Sequence, residues 1–311
     1  MMTGVRPFRF AYAEARAETR GDWVEAAKRA EDFGFSTFHV PDHLGALSPA
    51  VALQSVAEQT SLRIGQFVLN NDFRNPVLVA QEAATLDLLS DGRLELGLGA
   101  GWNIPEYEAA GISFDRASVR IRRLDESAQI LSRLFAGEEV SFEGEFYAIR
   151  EHKQIPLPPQ GGDLPILIGG NGDKLLTVAA KRASIVGITG FTIRPAGPKM
   201  THFGRETLAE RTAFVQQKAG ERASRLELNI LVQRCEVGRD RSEIAQEWAA
   251  EDDSQLSADQ ILDSPFMVAG TVEQVVEELT DLRRYTGVSY VTVIGRRAKG
   301  FEKVVEQLAN A

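Results

Sequence analysis

Short β-branched runs alternate with amphipathic segments along almost the whole chain, and no other feature restricts its folding so tightly. Consecutive strands joined by helices must run parallel, because a helical crossover returns the chain to the same end of the sheet. "FRFAYA" from Phe8 reads as the first strand, and "DWVEAAKRAEDFGF" as its helix, with Asp22 as cap and Gly34 as stop. "STFHV" ends at Pro41, and the helix "SPAVALQSVAEQT" follows with Ser48 as cap and Pro49 in its first turn. "LRIGQFVL" is the third strand, "NPVLVAQEAATLDLLSDG" its helix, "RLELGLG" the fourth strand and "FDRASVRIRRLDESAQILSRLF" a long helix behind it.

The rhythm then breaks. "VSFEGEFYAI" alternates about a Glu143-Gly144 turn and reads as an inserted β-hairpin, followed by the proline-rich connector "QIPLPPQGGDLP". "PILIGG", "SIVGITG", "LELNILVQRCEV" and "SYVTVIG" supply strands five to eight. Their helices are "DKLLTVAAKRA", "RETLAERTAFVQQKAG", "TVEQVVEELTDLRRYTG" and the closing "GFEKVVEQLANA", with a mostly helical insertion from Ser242 to about Ser264 after strand seven. Eight such units in 311 residues predict an α/β fold, a single (β/α)8 TIM barrel with insertions spanning residues 1–311. A doubly wound open sheet is the rival architecture.

Composition narrows the function. With 44 acidic against 35 basic residues and a net charge of -9, no basic excess favours nucleic acid or an anionic membrane surface. No stretch has the apolar length of a membrane span, and the charged N-terminal segment lacks the apolar run of a secretory signal, so a cytoplasmic protein is expected. The lone Cys235, in a strand-like run, excludes an intramolecular disulfide and reads as packing.

"RLELGLGAGW" invites a dinucleotide-binding reading, which fails on spacing. After Gly97 and Gly99 the third glycine of G-x-G-x-x-G should stand at Trp102, and after Gly99 and Gly101 at Ile104. In a barrel, function collects at the C-terminal ends of the strands. Glycines there either bare backbone to a flat ring or relieve crowding, and both readings are open for Gly97 and Gly99. "GGNGD", Gly169 to Asp173, leads into a helix and is either a phosphate cradle or a plain turn. Asp42 and His43 offer a carboxylate and an imidazole for proton transfer, or simply a turn. His39 and His43 lack further ligands for a metal, and none is expected.

The order "GFSTFHVPDH", then "IGQFVLNNDFRNPVLVAQEAATLDLLSDGRLELGLGAGW", the hairpin, "ILIGG" and a late "AGTVEQV" with "GVSYVTV" resembles the luciferase-like monooxygenase superfamily. Within it, the similarity is to the coenzyme F-420 (deazaflavin)-dependent oxidoreductases. The resemblance implies a homodimeric TIM barrel that binds deazaflavin or flavin mononucleotide (FMN) at its mouth. It makes Asp42 and His43 catalytic, the pair lying beside the redox ring. It assigns Phe67, Val68 and Leu69 to a strand-three bulge with a non-prolyl cis peptide between Phe67 and Val68. It implies that Gly169, Gly170, Asn171 and Gly172 hold a phosphate with Thr189 and Gly190 beside them, while Gly99 and Gly101, from their place at the strand end, are expected to bare backbone to the ring.

One departure matters. Relatives acting on sugar phosphates carry a glutamate where this chain has Trp102, so a glucose-6-phosphate dehydrogenase is not expected. An aromatic wall of Trp102, Tyr12, Phe73 and Phe191 implies a flat or apolar small-molecule substrate. The alternatives are an FMN-dependent two-component monooxygenase fed by a partner reductase, and a cofactor-binding protein without turnover.

Overall fold

The computed structural model describes residues 6–194, 197–251 and 256–309. Its barrel strands are β1 Arg9–Ala13, β2 Thr37–Val40, β3 Arg63–Gln66, β4 Leu94–Gly99, β5 Ile166–Gly170, β6 Ile185–Ile188, β7 Glu227–Val232 and β8 Val288–Ile294. Each pairs in parallel with the next, and β8 pairs with β1, so the sheet closes into a (β/α)8 barrel and leaves no open edge. The open-sheet alternative fails on the β8 to β1 and β3 to β4 pairings. Around it lie α1 Arg20–Asp32, α2 Pro49–Gln59, α3 Pro76–Leu89, α4 Ala117–Phe135, α5 Asp173–Arg182, α6 Arg205–Ala219, α7 Val272–Thr286 and α8 Glu302–Leu308.

Strand periodicity splits the buried residues into two layers. Phe10, Tyr12, Phe38, Val40, Leu96 and Leu98 join the large core between strands and helices, whereas Ala11, Phe67, Leu167, Ile185 and Tyr290 fill the barrel itself. Burying each large apolar side chain contributes roughly 1.5–3 kcal/mol. The barrel interior also holds charge. Arg9 binds Glu95 at 2.7 Å and Glu227 at 2.7 Å, Arg63 binds Glu95 at 2.7 Å, and the Tyr290 hydroxyl donates to Glu95 at 3.1 Å. Burial alone would raise the Glu95 carboxyl, but Arg9 and Arg63 overcome it and hold it below its ordinary range.

Several boundaries differ from the sequence expectation, each for a local reason. Helix α1 is capped by Thr19, with Asp22 as the reciprocal member of a capping box. Strand three is broken: Gly65 pairs with Glu95 and Leu69 with Leu98, so β3 carries one residue more than β4 over that interval. This bulge contains the cis peptide between Phe67 and Val68. A short helix, Ile104–Ala110, precedes α4. The inserted hairpin pairs Glu139–Glu143 with Ala148–Lys153. A second hairpin, Phe191–Arg194 with Gly197–Met200, follows β6 and was absent from the sequence reading.

The predicted strand seven is two strands. Gln233 leaves the barrel by donating its backbone N–H to Phe266, and Arg234–Val237 joins Met267–Gly270 and Ala298–Lys299 in a small parallel sheet. The insertion contains the helices Arg241–Ala249 and Ala258–Asp263; residues 252–255 of it, and the last two residues of the predicted terminal helix, lie outside the described residues. Cys235 is buried in the small sheet, and burial pushes its thiol well above the ordinary value, as its packing role requires.

Candidate active site

The loop after β2 carries Asp42 and His43, and the structure sends the two side chains to different partners. Both Asp42 oxygens engage Arg74, at 2.5 and 3.1 Å, and one also accepts the Asn70 backbone N–H at 2.9 Å. Asp42 therefore ties the loop to the segment leaving the bulge. His43 instead donates from Nδ1 to Glu106 Oε1 at 2.8 Å. It meets the edge of Trp102 with ring centroids 5.7 Å apart. Its side chain is 36% exposed, so the imidazole faces the rim and is not sealed in the core.

Glu106 was missed in the sequence. It occupies the first turn of Ile104–Ala110, is buried, and accepts a second hydrogen bond from Asn103 Nδ2 at 2.7 Å. The readable signal was "WNIPEYEAAG": an asparagine, a proline in the first turn and a closing glycine outline a helix that puts a carboxylate just beyond the strand-four glycines. Arg120, buried and lying 4.1 Å over Phe114, donates to the carbonyls of Ala100 and Gly101 and so fixes the backbone that presents Trp102.

The bulge brings Phe67 and Val68 onto the barrel's inner side together. Phe67 stacks on His39, centroids 4.9 Å apart, while Val68 remains half-buried. The glycines of β4 serve this arrangement. A Cβ on Gly97 would overlap the Gln66 carbonyl oxygen, and one on Gly99 would come within 2.5 Å of the Val68 methyl group. Gly101, at φ +71, leaves room for the Tyr107 hydroxyl and the Asn70 amide. The Cβ directions of Gly99 and Gly101 are thus filled by their own chain, which for Gly99 is the crowding that a missing side chain relieves. Leu69 points the other way, into the strand-helix core.

Across the mouth, Val68 lies 3.5 Å from the position a Cβ of Gly169 would take. Gly170 is crowded by Leu175, whereas Gly172 opens onto free space and caps α5 with no side-chain hydrogen bond. The first N–H groups of this ten-residue helix are therefore not capped by the Gly172 position, as an anion-binding helix start requires. Asn171 is buried, donates to the Thr201 carbonyl at 2.7 Å, and has no partner on Oδ1. Arg211 reaches Asp173 at the same helix start and keeps an unpartnered buried Nε. Thr189 is half-buried, and Gly190, at φ +72, fits between Phe203 and Phe266.

The aromatic wall is only partly assembled. Trp102 is 42% exposed at the rim. Phe73 packs on Tyr107 at 4.9 Å, and Phe191 on Phe203 at 5.8 Å, both half-buried on opposite sides. Tyr12 does not belong to it. It falls on the outward phase of β1 and packs on Phe35 and Phe38 beneath the helices, so its assignment to the substrate site is corrected.

The chemistry of these residues suits a flat cofactor with a phosphate-bearing tail: Val68 is a half-buried apolar side chain near Gly169, and the α5 start has no side-chain cap while Asn171 Oδ1 beside it has no partner. Among the described residues no group of three His, Cys, Asp or Glu is placed to hold a metal, and no helix is long and apolar enough to cross a membrane.

A closed parallel barrel with a bulged third strand and an exposed imidazole in the loop after β2 defines a (β/α)8 barrel, a fold whose sites lie at the C-terminal ends of the strands. The luciferase-like monooxygenase family model matches residues 3–290, and the chain belongs to that family. It is 36% identical over 180 residues to an F-420-dependent glucose-6-phosphate dehydrogenase of Amycolatopsis mediterranei, the match covering 54% of this chain and 54% of that one. The chain thus spans about half the length of that curated relative. The coenzyme F-420-dependent tetrahydromethanopterin reductase of Methanopyrus kandleri superposes with a TM-score of 0.73 over 98% of both chains at 20% identity. A long-chain alkane monooxygenase superposes with a TM-score of 0.75 over 98% of this chain and 92% of its own, at 14% identity.

Proposed function

We propose that the protein is a coenzyme F-420-dependent oxidoreductase that moves a hydride between the deazaflavin and a small organic substrate. The observation that carries this reading is at the end of β5, where a Val68 methyl group lies 3.5 Å from the Cβ position of Gly169 and the chain enters α5 at Gly172 without a side-chain cap. The deazaflavin, when bound, supplies the hydride chemistry. The chain binds its phosphate at the α5 N-terminus, backs its ring with Phe67 and Val68, and handles one proton at His43. The relative that aligns at 36% identity is named for this cofactor, whereas the alkane oxygenase supports only the fold, at 14%. Trp102, in place of the acid of the sugar-phosphate enzymes, favours a flat or apolar substrate. A homodimer is part of the same proposal. It is supported by the exposed Leu78, Leu88 and Leu89 on α3 and by Val51 on α2, and light scattering of the purified protein checks it.

Separate titrations with deazaflavin and with FMN, followed by intrinsic fluorescence, test the cofactor. Tight binding of deazaflavin and weak binding of FMN are expected. Preferential FMN binding with oxygen consumption linked to product overturns the proposal in favour of a monooxygenase. His43→Ala is expected to cut turnover while leaving cofactor affinity intact, and unchanged turnover removes the role given to His43.

A further inference from the structure

The carboxylate absent at Trp102 returns one helical turn later. Two acids lie near His43, and their geometry distinguishes them. Asp42 spends both oxygens on Arg74 and the Asn70 N–H. Glu106 alone touches the imidazole, from a buried position, and its Oε1 is itself fixed by Asn103. An ionised carboxylate only accepts, so this contact requires the proton on Nδ1 and leaves Nε2, which makes no hydrogen bond to the described residues, as the nitrogen available at the rim.

We propose that Glu106 is the positioning residue of His43. It selects the Nδ1–H tautomer, holds the ring against Trp102, and balances the positive charge of the imidazolium. This inference rests on the proton role proposed for His43. In the reducing direction the His43 Nε2–H bond breaks as the substrate heteroatom gains the proton. When bound, reduced deazaflavin would supply the hydride and with it both electrons, and solvent would return a proton to the neutral imidazole of His43. Among the described residues Glu106 is the anion in hydrogen-bond contact with the ring, while the neighbouring Asp42 is paired with Arg74, so replacing Glu106 removes that contact.

Glu106→Gln tests the assignment in two independent ways. In the cofactor-free protein, nitrogen-15 spectra are expected to show His43 mainly as the Nδ1–H tautomer in the wild type and no longer so in the variant. In the loaded enzyme the variant is expected to bind deazaflavin within about twofold of wild type, to lose at least tenfold in kcat, and to show an altered pH profile of kcat/KM; Glu106→Asp restores part of the loss. Wild-type tautomer, turnover and pH profile in Glu106→Gln overturn the inference and leave Glu106 as an anchor of its helix. If Glu106→Gln fails to fold, the wild-type spectra decide alone, because a neutral His43 found mainly as the Nε2–H tautomer overturns the inference. Failure of the wild type to bind deazaflavin counts against the proposed function, while the cofactor-free spectra still judge the pair.

Discussion

Replacing His39 with Gln is expected to flatten the stability of this protein between pH 6.5 and about 4. His39 is fully buried in the barrel, with Tyr290 at 3.1 Å from Nε2 and Phe67 stacked on its face. Burial, and with it the charge of Arg9 working against the pull of Glu95, lowers its pKa from 6.5 to about 4. The unfolded chain takes up the proton near pH 6.5 and the folded chain only near 4, so the stabilisation from a neutral His39 is complete above pH 6.5 and lost as the pH falls through that window. At about 1.4 kcal/mol per pH unit, the loss amounts to roughly 3 kcal/mol. Denaturant unfolding of wild type and His39→Gln at intervals across this range reads the difference directly, and subtraction removes the contributions of the other histidines. Glu95, held below its ordinary range, sheds its own contribution only at lower pH. Parallel curves for the two proteins refute the reasoning, as does a native-state NMR titration that finds His39 protonated at pH 6.

Gly172→Asp supplies the missing cap of α5 and is expected to raise stability by a few tenths of a kcal/mol. It should also weaken deazaflavin binding at least tenfold, because its carboxylate takes the N–H groups meant for the phosphate. Retained affinity in a calorimetric titration rejects the phosphate assignment. Gly97→Ala drives a Cβ into the Gln66 carbonyl, a backbone atom that cannot rotate away, and is expected to cost about 3 kcal/mol or more. A melting temperature within two or three degrees of wild type shows that the bulge tolerates displacement, against the role given to Gly97.

The bulge at Phe67, Val68 and Leu69, with its cis peptide, follows the expectation from the family resemblance, but residue preferences alone do not show it. "RIGQFVLNN" reads as an unbroken strand because its β-branched and aromatic residues suit one. The extra residue appears only when Gly65 pairs with Glu95 and Leu69 with Leu98 across a ring that must close. The glycines at Gly97 and Gly99 were visible as unusual, but their occupant, Val68, comes from the neighbouring strand. Tyr12 is read as part of an aromatic wall, yet the period-2 phase of β1 turns it outward into the core beneath the helices while Ala11 faces the barrel interior.

Parallel strands, covering helices, the glycine-rich turn from Gly169 to Asp173 and the presence of His43 near a strand end were all written in the order of residue types, since each follows from contacts a few residues apart. The partner of His43 was not. Glu106 stands 63 positions away in the chain, and only the closure of the barrel, which sets the loops after β2 and β4 beside one another, brings its carboxylate to the imidazole.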